Sequence, residues 1–421
     1  MKKIILVFLF IGNIAFAQQN EISLQDCYDQ MLQNYPLTEK SVIYSNINEL
    51  KIKNLKSRWL PQTELKAQAT YQSDVIDIDI DIPMGDIQLP QADKDQYKAT
   101  VDINQLIYDW GRIKSARQVE NAELKINQQN NRVELNKLKE QINKFYFAIL
   151  ILQKNEELMN VMMQEIEKKE STVESGIENG VLLPSDLNVL KAEKLKLKQN
   201  INQIMHQRVS ALNILAEITG MSIDLNSNLK IPDYELDKNT DWNRPEHQLF
   251  DFQKAKIDFS IKAYAKQNKP MIYAFSQLGY GKPGLNMLNN EFDTYYYLGL
   301  GVRWEFWDWN QNKRQREILA LNKDIIQSKE ESFNKQLEVA LNNEKSNIRN
   351  YNDAVKSDLE IIELREEITK SARSKLDNGV ITSTEFITEL NAETQAKINY
   401  ETHKIKRVQS IVNYLYIKGE I

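Results

Sequence analysis

Three segments of the chain carry an apolar residue at every seventh position, with few interruptions. The positions are Leu135, Ile142, Ile149, Met163 and Ile177, then Leu190, Leu197, Ile204, Ala211 and Ile218, then Leu341, Ile348, Val355, Ile362 and Leu376. A sustained seven-residue repeat is typical of helices that pack side by side as coiled coils. Neither glycine nor proline occurs from Arg112 to Ser175 or from Val302 to Asn378. The pattern predicts two unbroken helices, each roughly 100 Å long.

Apolar and polar residues alternate in shorter segments, which predicts strands with one apolar face. The apolar positions are Leu65, Ala67, Ala69 and Tyr71, then Tyr97, Ala99, Val101 and Ile103, then Tyr296, Leu298, Leu300, Val302 and Trp304. A fourth strand is expected at Met271–Tyr280, where the alternation is less regular. Aromatic residues cluster at the strand ends, as they do in outer-membrane strands, which face lipid on one side and a polar lumen on the other.

The chain repeats itself at an offset of 199 residues. ENGVLLPSDL, starting at Glu178, corresponds to DNGVITSTEF, starting at Asp377, and YDWGR corresponds to WDWNQ. We therefore expect two repeats, 18–219 and 244–421, joined by an equatorial linker, 220–243. Each repeat would hold a helix, two strands and a long helical hairpin, with hairpin tips near 176–186 and 377–386.

Four strands cannot close a barrel, and lipid does not tolerate an open sheet edge. Two chains would give eight strands, a barrel filled by its own side chains, whereas three would give twelve and leave a bore. The predicted fold class is an α+β membrane protein with internal duplication. Its outer-membrane β-barrel takes four strands per chain and twelve per trimer, and a long α-helical coiled-coil barrel continues it.

The first 17 residues are typical of a secretory signal peptide, with Lys2 and Lys3, an apolar stretch and the Ala15-Phe16-Ala17 cleavage motif. The net charge of −5 gives no reason to expect a nucleic-acid partner. The single cysteine, Cys27, excludes an intramolecular disulfide and is interpreted as a buried thiol.

The sequence shows no pattern that would support catalysis. His206, His247 and His403 lack metal-ligand spacing, and neither a phosphate-binding loop nor a nucleophile elbow is present. We predict no metal, no cofactor and no enzymatic activity. The acidic stretch Asp74–Pro83, with Asp86, Asp93 and Asp95, is interpreted as a strand hairpin beyond the membrane, with a cation site as the alternative.

Several motifs in order resemble the TolC-type outer-membrane factor family. They are LPQTELKAQATYQ, LIYDWGR, RPEHQLFDFQKAKIDFSIKAYAKQNKP, GLGVRWEFWDWN and the two NGV hairpins. The resemblance implies a homotrimer in the outer membrane, with its helical part in the periplasm. It implies an exit duct of a tripartite efflux or type I secretion system, working with a periplasmic adaptor and an inner-membrane pump. The alternative is a periplasmic or surface coiled-coil structural or adhesion protein, which would share the heptads but not the amphipathic strands.

The resemblance also implies an acidic entrance at the hairpin tips. An acid follows each tip glycine by six residues, Asp186 in the first repeat and Glu385 in the second. The same residues also suit a structural role, because Thr382–Glu385 has the sequence of a capping box and Pro184 that of a first helical turn. Both roles are left open. The family's second entrance acid matches Val189 and Thr388, with Glu389 one place displaced, and its basic residue matches Ile381.

Two further sets of residues complete the predicted sites. The region that meets the adaptor in the family corresponds to Gly180, Val181, Leu182, Leu183, Gly379, Val380, Ile381 and Thr382, although these residues could simply close the turns. The strand–helix junctions contain Asp109, Gly111 and Asp308.

Overall fold

The computed structural model describes residues 21–75, 93–236 and 242–421. The proposed signal peptide and most of the acidic stretch from Asp74 to Asp95 lie outside these residues. The elements in chain order are α1 (Leu24–Asn34), α2 (Leu37–Ser57), β1 (Gln62–Tyr71), β2 (Asp95–Tyr108), α3 (Arg112–Glu178), α4 (Pro184–Thr219), α5 (Pro245–Gln267), β3 (Met271–Lys282), β4 (Asp293–Arg303), α6 (Gln311–Asp377) and α7 (Ser383–Lys418).

The internal duplication is visible in the helix lengths. The long helices α3 and α6 each have 67 residues, and the returning helices α4 and α7 each have 36. Many of the predicted seven-residue positions are buried: Ile142, Ile149, Leu190, Leu197, Ala211, Leu341, Ile348 and Leu376. The long helices and their packing stripe are therefore confirmed, and the absence of glycine and proline explains why neither helix is interrupted.

The four strands form one antiparallel sheet in the order β1-β2-β3-β4. The register pairs Leu65 with Val101, and Val101 with Leu278. It also pairs Leu278 with Tyr296, so one face is apolar across the whole sheet. Strand β4 ends at Arg303, so the expected strand position of Trp304 is wrong. The Trp304 side chain instead turns to donate its indole N–H to the Asn268 carbonyl at 3.0 Å.

The chain divides into two compact units, each drawn from both repeats. One contains residues 1–38, 132–245 and 333–421, and the other contains 39–131 and 246–332. In the first unit, α1 packs onto α3 and α4 through a core that includes Cys27, Tyr28 and Ile142. Cys27 is fully buried as predicted, and burial raises the pKa of its thiol to about 12.

Part of the segment between the repeats adds to this core. Leu229 is buried in it, and a parallel bridge joins Leu229 to Ile22. The Tyr146 hydroxyl donates to the carbonyls of Lys230 and Ile22, at 2.6 and 2.8 Å. Because Leu229 is buried and the Tyr146 hydroxyl bonds the backbone of both bridged segments, this part of the segment is packed onto the core.

Of the helices in the described ranges, none combines the length and the apolarity that crossing a membrane would require.

Candidate functional site

The two hairpin tips share one backbone design. Helix α3 ends at Glu178 and α6 at Asp377, and the glycine that follows each, Gly180 or Gly379, has a left-handed φ of 75° or 67°. In each tip the valine after the glycine donates its N–H to a carbonyl of the last helical turn, at 2.8 Å. Glycine is the usual residue at this position because it has no Cβ to clash. The repeated NG sequence therefore marks two helix ends, as predicted.

Glu385 closes a complete capping box at the start of α7. Its carboxylate accepts from the Thr382 backbone N–H at 2.8 Å, and the Thr382 hydroxyl accepts from the Glu385 N–H at 3.3 Å. The hydrogen bonds that the Thr382 backbone N–H and the Thr382 hydroxyl donate to the carboxylate hold the pKa of the Glu385 carboxyl below its usual range. Of the two roles left open for Glu385, the structure shows the helix cap, and the Glu385 side chain is exposed.

Asp186 occupies the equivalent position and connects two helices. One oxygen accepts from the backbone N–H of Leu183, the residue that caps α4, at 3.2 Å. The other accepts from the N–H of Ser383, the first residue of α7, at 2.9 Å. Only 9% of Asp186 is exposed and Ser383 is fully buried. The carboxylate thus lies at the positive ends of two helix dipoles and satisfies an otherwise unpaired donor in each.

Two ion pairs join the hairpins just behind the tips. Lys169 of α3 lies 2.5 Å from Asp377 of α6, and Arg373 of α6 donates to Glu165 of α3 at 2.8 Å. The Lys169 side chain is 7% exposed and its ammonium lies over the ring of Phe386. Sequence reasoning missed these residues, because partners more than 200 positions apart leave no local signal.

Glu389, the displaced acid, contacts helix α6. It accepts from Arg365 of α6 at 3.1 Å, and its backbone carbonyl accepts from the Thr369 hydroxyl at 3.2 Å. Glu389 therefore ties α7 to α6 within the second hairpin.

The predicted adaptor-contact residues divide into three groups. Val181, Leu183 and Val380 are exposed. Leu182 and Ile381 instead pack against the buried cluster that contains Leu190 and Phe386. The remaining members have structural tasks at the turns: Gly180, Gly379 and Thr382.

Both strand–helix junctions also share one design. Trp110 and Gly111 have left-handed φ values of 56° and 78°, and the equivalent Trp309 and Asn310 have 52° and 59°. The preceding aspartates stabilise this turn.

The two junction aspartates accept equivalent backbone bonds. Asp109 is buried and accepts from the N–H groups of Gly111 and Ile113, at 2.8 and 2.7 Å. Asp308 accepts from the N–H of Asn312 at 2.9 Å and from the Asn268 side chain at 2.7 Å. The hydrogen bond from Asn268 is the main reason why the pKa of Asp308 lies below its usual range.

The apolar face of the sheet is bounded by aromatic residues at both ends. One end carries Tyr71, Tyr97, Tyr280, Phe292 and Tyr296, and the other carries Tyr108, Trp110, Trp304, Phe306, Trp307 and Trp309. All are exposed in the single chain, as are Leu65, Leu278, Leu298, Leu300 and Val302 between them, of which Leu300 is 76% exposed. An apolar band between two aromatic belts is the pattern of a strand surface that faces lipid.

In the part of the chain that the structure describes, no three His, Cys, Asp or Glu side chains are grouped so as to hold a metal ion. His403 contacts the carboxylate of Asp358 at 2.7 Å. This contact ties α7 to α6 and involves no second histidine.

Comparison with known proteins identifies the class. The fold matches the outer membrane protein VceC of Vibrio cholerae, with a TM-score of 0.68, 13% identity and coverage of 94% of this chain and 96% of that one. The CmeC outer membrane channel of Campylobacter jejuni matches with a TM-score of 0.67 and 13% identity, and the match covers 94% of this chain and 85% of that one. The open state of the Neisseria gonorrhoeae MtrE outer membrane channel matches with a TM-score of 0.67 and 14% identity, and the match covers 94% of this chain and 88% of that one. The chain thus has the fold of the outer-membrane channels.

A sequence comparison agrees with this fold. Residues 14–221, just under half of the chain and nearly all of the first repeat, match the family model of the outer membrane efflux protein. No curated protein matches the sequence. The resemblance to the TolC-type outer-membrane factors is confirmed, and the predicted location in the outer membrane agrees with both findings. The matched family model describes an outer membrane efflux protein and the similar solved structures are outer-membrane channels, so the proteins that this chain is similar to are transport proteins and not enzymes.

Proposed function

We propose that the chain forms a homotrimeric exit duct in the outer membrane, which passes substrates from an inner-membrane pump and a periplasmic adaptor to the cell exterior. The observation that carries the proposal is the sheet. It has an exposed apolar face between two aromatic belts, and β1 and β4 are its two edges. An edge in lipid must be paired, so strands of neighbouring copies would complete a twelve-stranded barrel around a polar bore.

Exposed apolar seams on α6 support assembly from several copies. Ile318, Leu321 and Ile325 follow a three-then-four spacing, and Ile361, Leu364 and Ile368 repeat it. All six are exposed in the single chain. A stripe of this spacing is a coiled-coil surface without its partner. Helices of neighbouring copies would cover these seams and form a tunnel wall.

We assign the closing of the inner end to the contacts at the hairpin tips. Asp186 ties the start of α7 to the start of α4, and Lys169 ties α3 to Asp377. If the entrance opens by separating the two hairpins, these contacts must break. Asp186 would then be both a helix cap and a part of the gate, whereas Glu385, whose cap is local, would contribute less.

The exposed tip residues Val181, Leu183 and Val380 are proposed to meet the adaptor. Apolar side chains at a surface tip are costly without a partner. We do not assign this role to Leu182 and Ile381, which are partly buried and pack against the cluster inside the hairpin.

The experiment is a bilayer recording on the purified mature protein. We expect extraction from the outer membrane only with detergent, heat-modifiable migration as a trimer, and discrete single-channel currents. A protein that is soluble without detergent and gives no currents would contradict the duct and favour the coiled-coil structural alternative.

A further inference from the structure

The polar face of the β3–β4 hairpin pairs aromatic residues with glycines. Tyr273 stands opposite Gly301, Phe275 opposite Gly299, and Tyr295 opposite Gly279. The polar face of the β1–β2 hairpin is different, since its pairs are Glu64 with Asp102, Lys66 with Thr100, and Gln68 with Lys98. One hairpin therefore presents charged and polar groups, and the other presents rings.

The tip of each ring lies over its glycine. A Cβ added at Gly279 would lie 2.1 Å from Cζ of Tyr295. A Cβ at Gly299 would lie 2.6 Å from Cζ of Phe275, and one at Gly301 would lie 2.5 Å from Cζ of Tyr273. Real Cβ atoms essentially never approach another heavy atom closer than 3.0 Å. Any larger residue at these positions would push the ring away from the sheet.

Backbone conformation does not explain these glycines. Gly279, Gly299 and Gly301 are absent from the residues with positive φ, so their strand geometry is open to any amino acid. Glycine inside a strand weakens it, because it adds chain entropy and contributes no side chain to packing. What the three glycines provide is space for a ring.

Two of the rings also contact cations. The Lys98 ammonium lies 5.6 Å from the Tyr295 ring centroid, and the Arg303 guanidinium lies 5.5 Å from that of Tyr273. Each of these rings therefore contacts both a glycine and a charged group, and the cation–π contact favours the ring position over the glycine. The charges also show that this face is the one turned to water.

We propose that Gly279, Gly299 and Gly301 set the free width of the bore by letting three rings of each chain lie against the barrel wall. The inference rests on the proposed function, because it assigns the polar face to the lumen of the duct. A side chain at any of these positions would lift a ring toward the axis, and the symmetry of a trimer would repeat the obstruction three times at one level.

The test is the single-channel conductance of Gly299→Ala and of the triple variant Gly279→Ala, Gly299→Ala and Gly301→Ala. We expect both to lose conductance, the triple variant more, and to exclude polyethylene glycols of a smaller size than wild type does. Ser276→Ala, on the apolar face, is the matched control and should leave both measurements unchanged.

The decisive variant combines Gly299→Ala with Phe275→Ala. Without the ring, the added methyl group has nothing to displace, so the conductance of this variant should equal that of Phe275→Ala alone. Thermal dissociation of the trimer is measured in parallel. Glycine variants that dissociate at lower temperature but keep wild-type conductance would overturn the proposal and leave the rings a purely stabilising role.

Failure of the proposed function itself is distinguishable, because wild-type protein would then carry no current. If the triple variant does not assemble, the single Gly299→Ala variant and its combination with Phe275→Ala still decide the question. Equal polymer exclusion by wild type and Gly299→Ala would also contradict the proposal.

Discussion

The two hairpin tips have the same length and the same left-handed glycine, yet their acids have different tasks. Glu385 satisfies its own helix start and remains exposed, whereas Asp186 shares its carboxylate between α4 and α7 and is nearly buried. The residue capping α4, Leu183, has no side-chain acceptor, and the residue capping α7 is Thr382. The duplication thus gives two equivalent positions, and only the acid of the first repeat, Asp186, links the two repeats of the chain.

Removing the shared carboxylate of Asp186 should have the largest effect on stability and conductance. Asp186→Ala leaves the buried Ser383 N–H without an acceptor, at a cost of about 1–3 kcal/mol, and frees the two hairpin tips. We expect lower thermal stability and, under the proposed function, higher conductance or altered cation block in bilayers.

The matched variant Glu385→Ala should change conductance less, since its cap is local to α7. The double variant should resemble Asp186→Ala. Equal effects of the two single substitutions would mean that the interhelical link has no special role.

The next effect concerns the ion pair behind the tips. Asp377→Ala leaves the buried Lys169 ammonium without its carboxylate, and we expect a loss of about 1–2 kcal/mol, since Asp377 itself is partly exposed. The matched control is Glu178→Ala, the equivalent and exposed position of the first repeat. Thermal unfolding monitored by circular dichroism measures both, and a similar loss in the control would contradict the assignment.

A smaller difference in stability is expected between substitutions of the two capping residues, Thr382 and Leu183. Thr382→Ala removes the side-chain acceptor at the start of α7 and should cost about 1 kcal/mol. Leu183→Ala, at the equivalent position of α4, removes no capping hydrogen bond, so any loss of α4 stability must come from packing. Hydrogen exchange of the first-turn amides of α7 and α4 is the measurement. If the α4 amides of Leu183→Ala exchanged faster than the α7 amides of Thr382→Ala, the expected difference between the two caps would be contradicted.

The smallest effect is a pH dependence of the second tip. The pKa of Glu385 is lower in the folded state, so its cap stabilises α7 above the unfolded pKa, about 4.3, and is lost as pH falls through the folded value. The stability difference between wild type and Glu385→Ala should therefore shrink as pH is lowered from 5 toward 3, read as thermal midpoints. A difference that is constant over this range would exclude the carboxylate as its source.

Much of the fold was predictable because its signals are periodic and local. The seven-residue stripe that contains Ile142 and Ile348 indicated the helices, and the two-residue alternation around Val101 indicated the strands. The capping box at Thr382 was equally readable, since all of its atoms lie within four residues. The end of β4 was placed one residue too late, because Trp304 continues the alternation in sequence while its indole bonds to Asn268.

The candidate site was predictable only in part. The positions of Asp186 and Glu385 followed from the repeat, but the division of roles between them did not. The pairing of Lys169 with Asp377 and the placement of Phe275 over Gly299 were not visible. Neither depends on neighbours in sequence.

The sequence by itself determined which segments are helices and strands, which of their faces are apolar, and that the unit occurs twice. Those features follow from the backbone periods of 3.6 and 2.0 residues, which local composition either matches or does not. Only the tertiary structure decided which of two equivalent acids bridges the helices, which lysine is buried with a carboxylate, and which glycines lie beneath rings. Each of these depends on helix packing or strand register, where a shift of one residue would bring different side chains together.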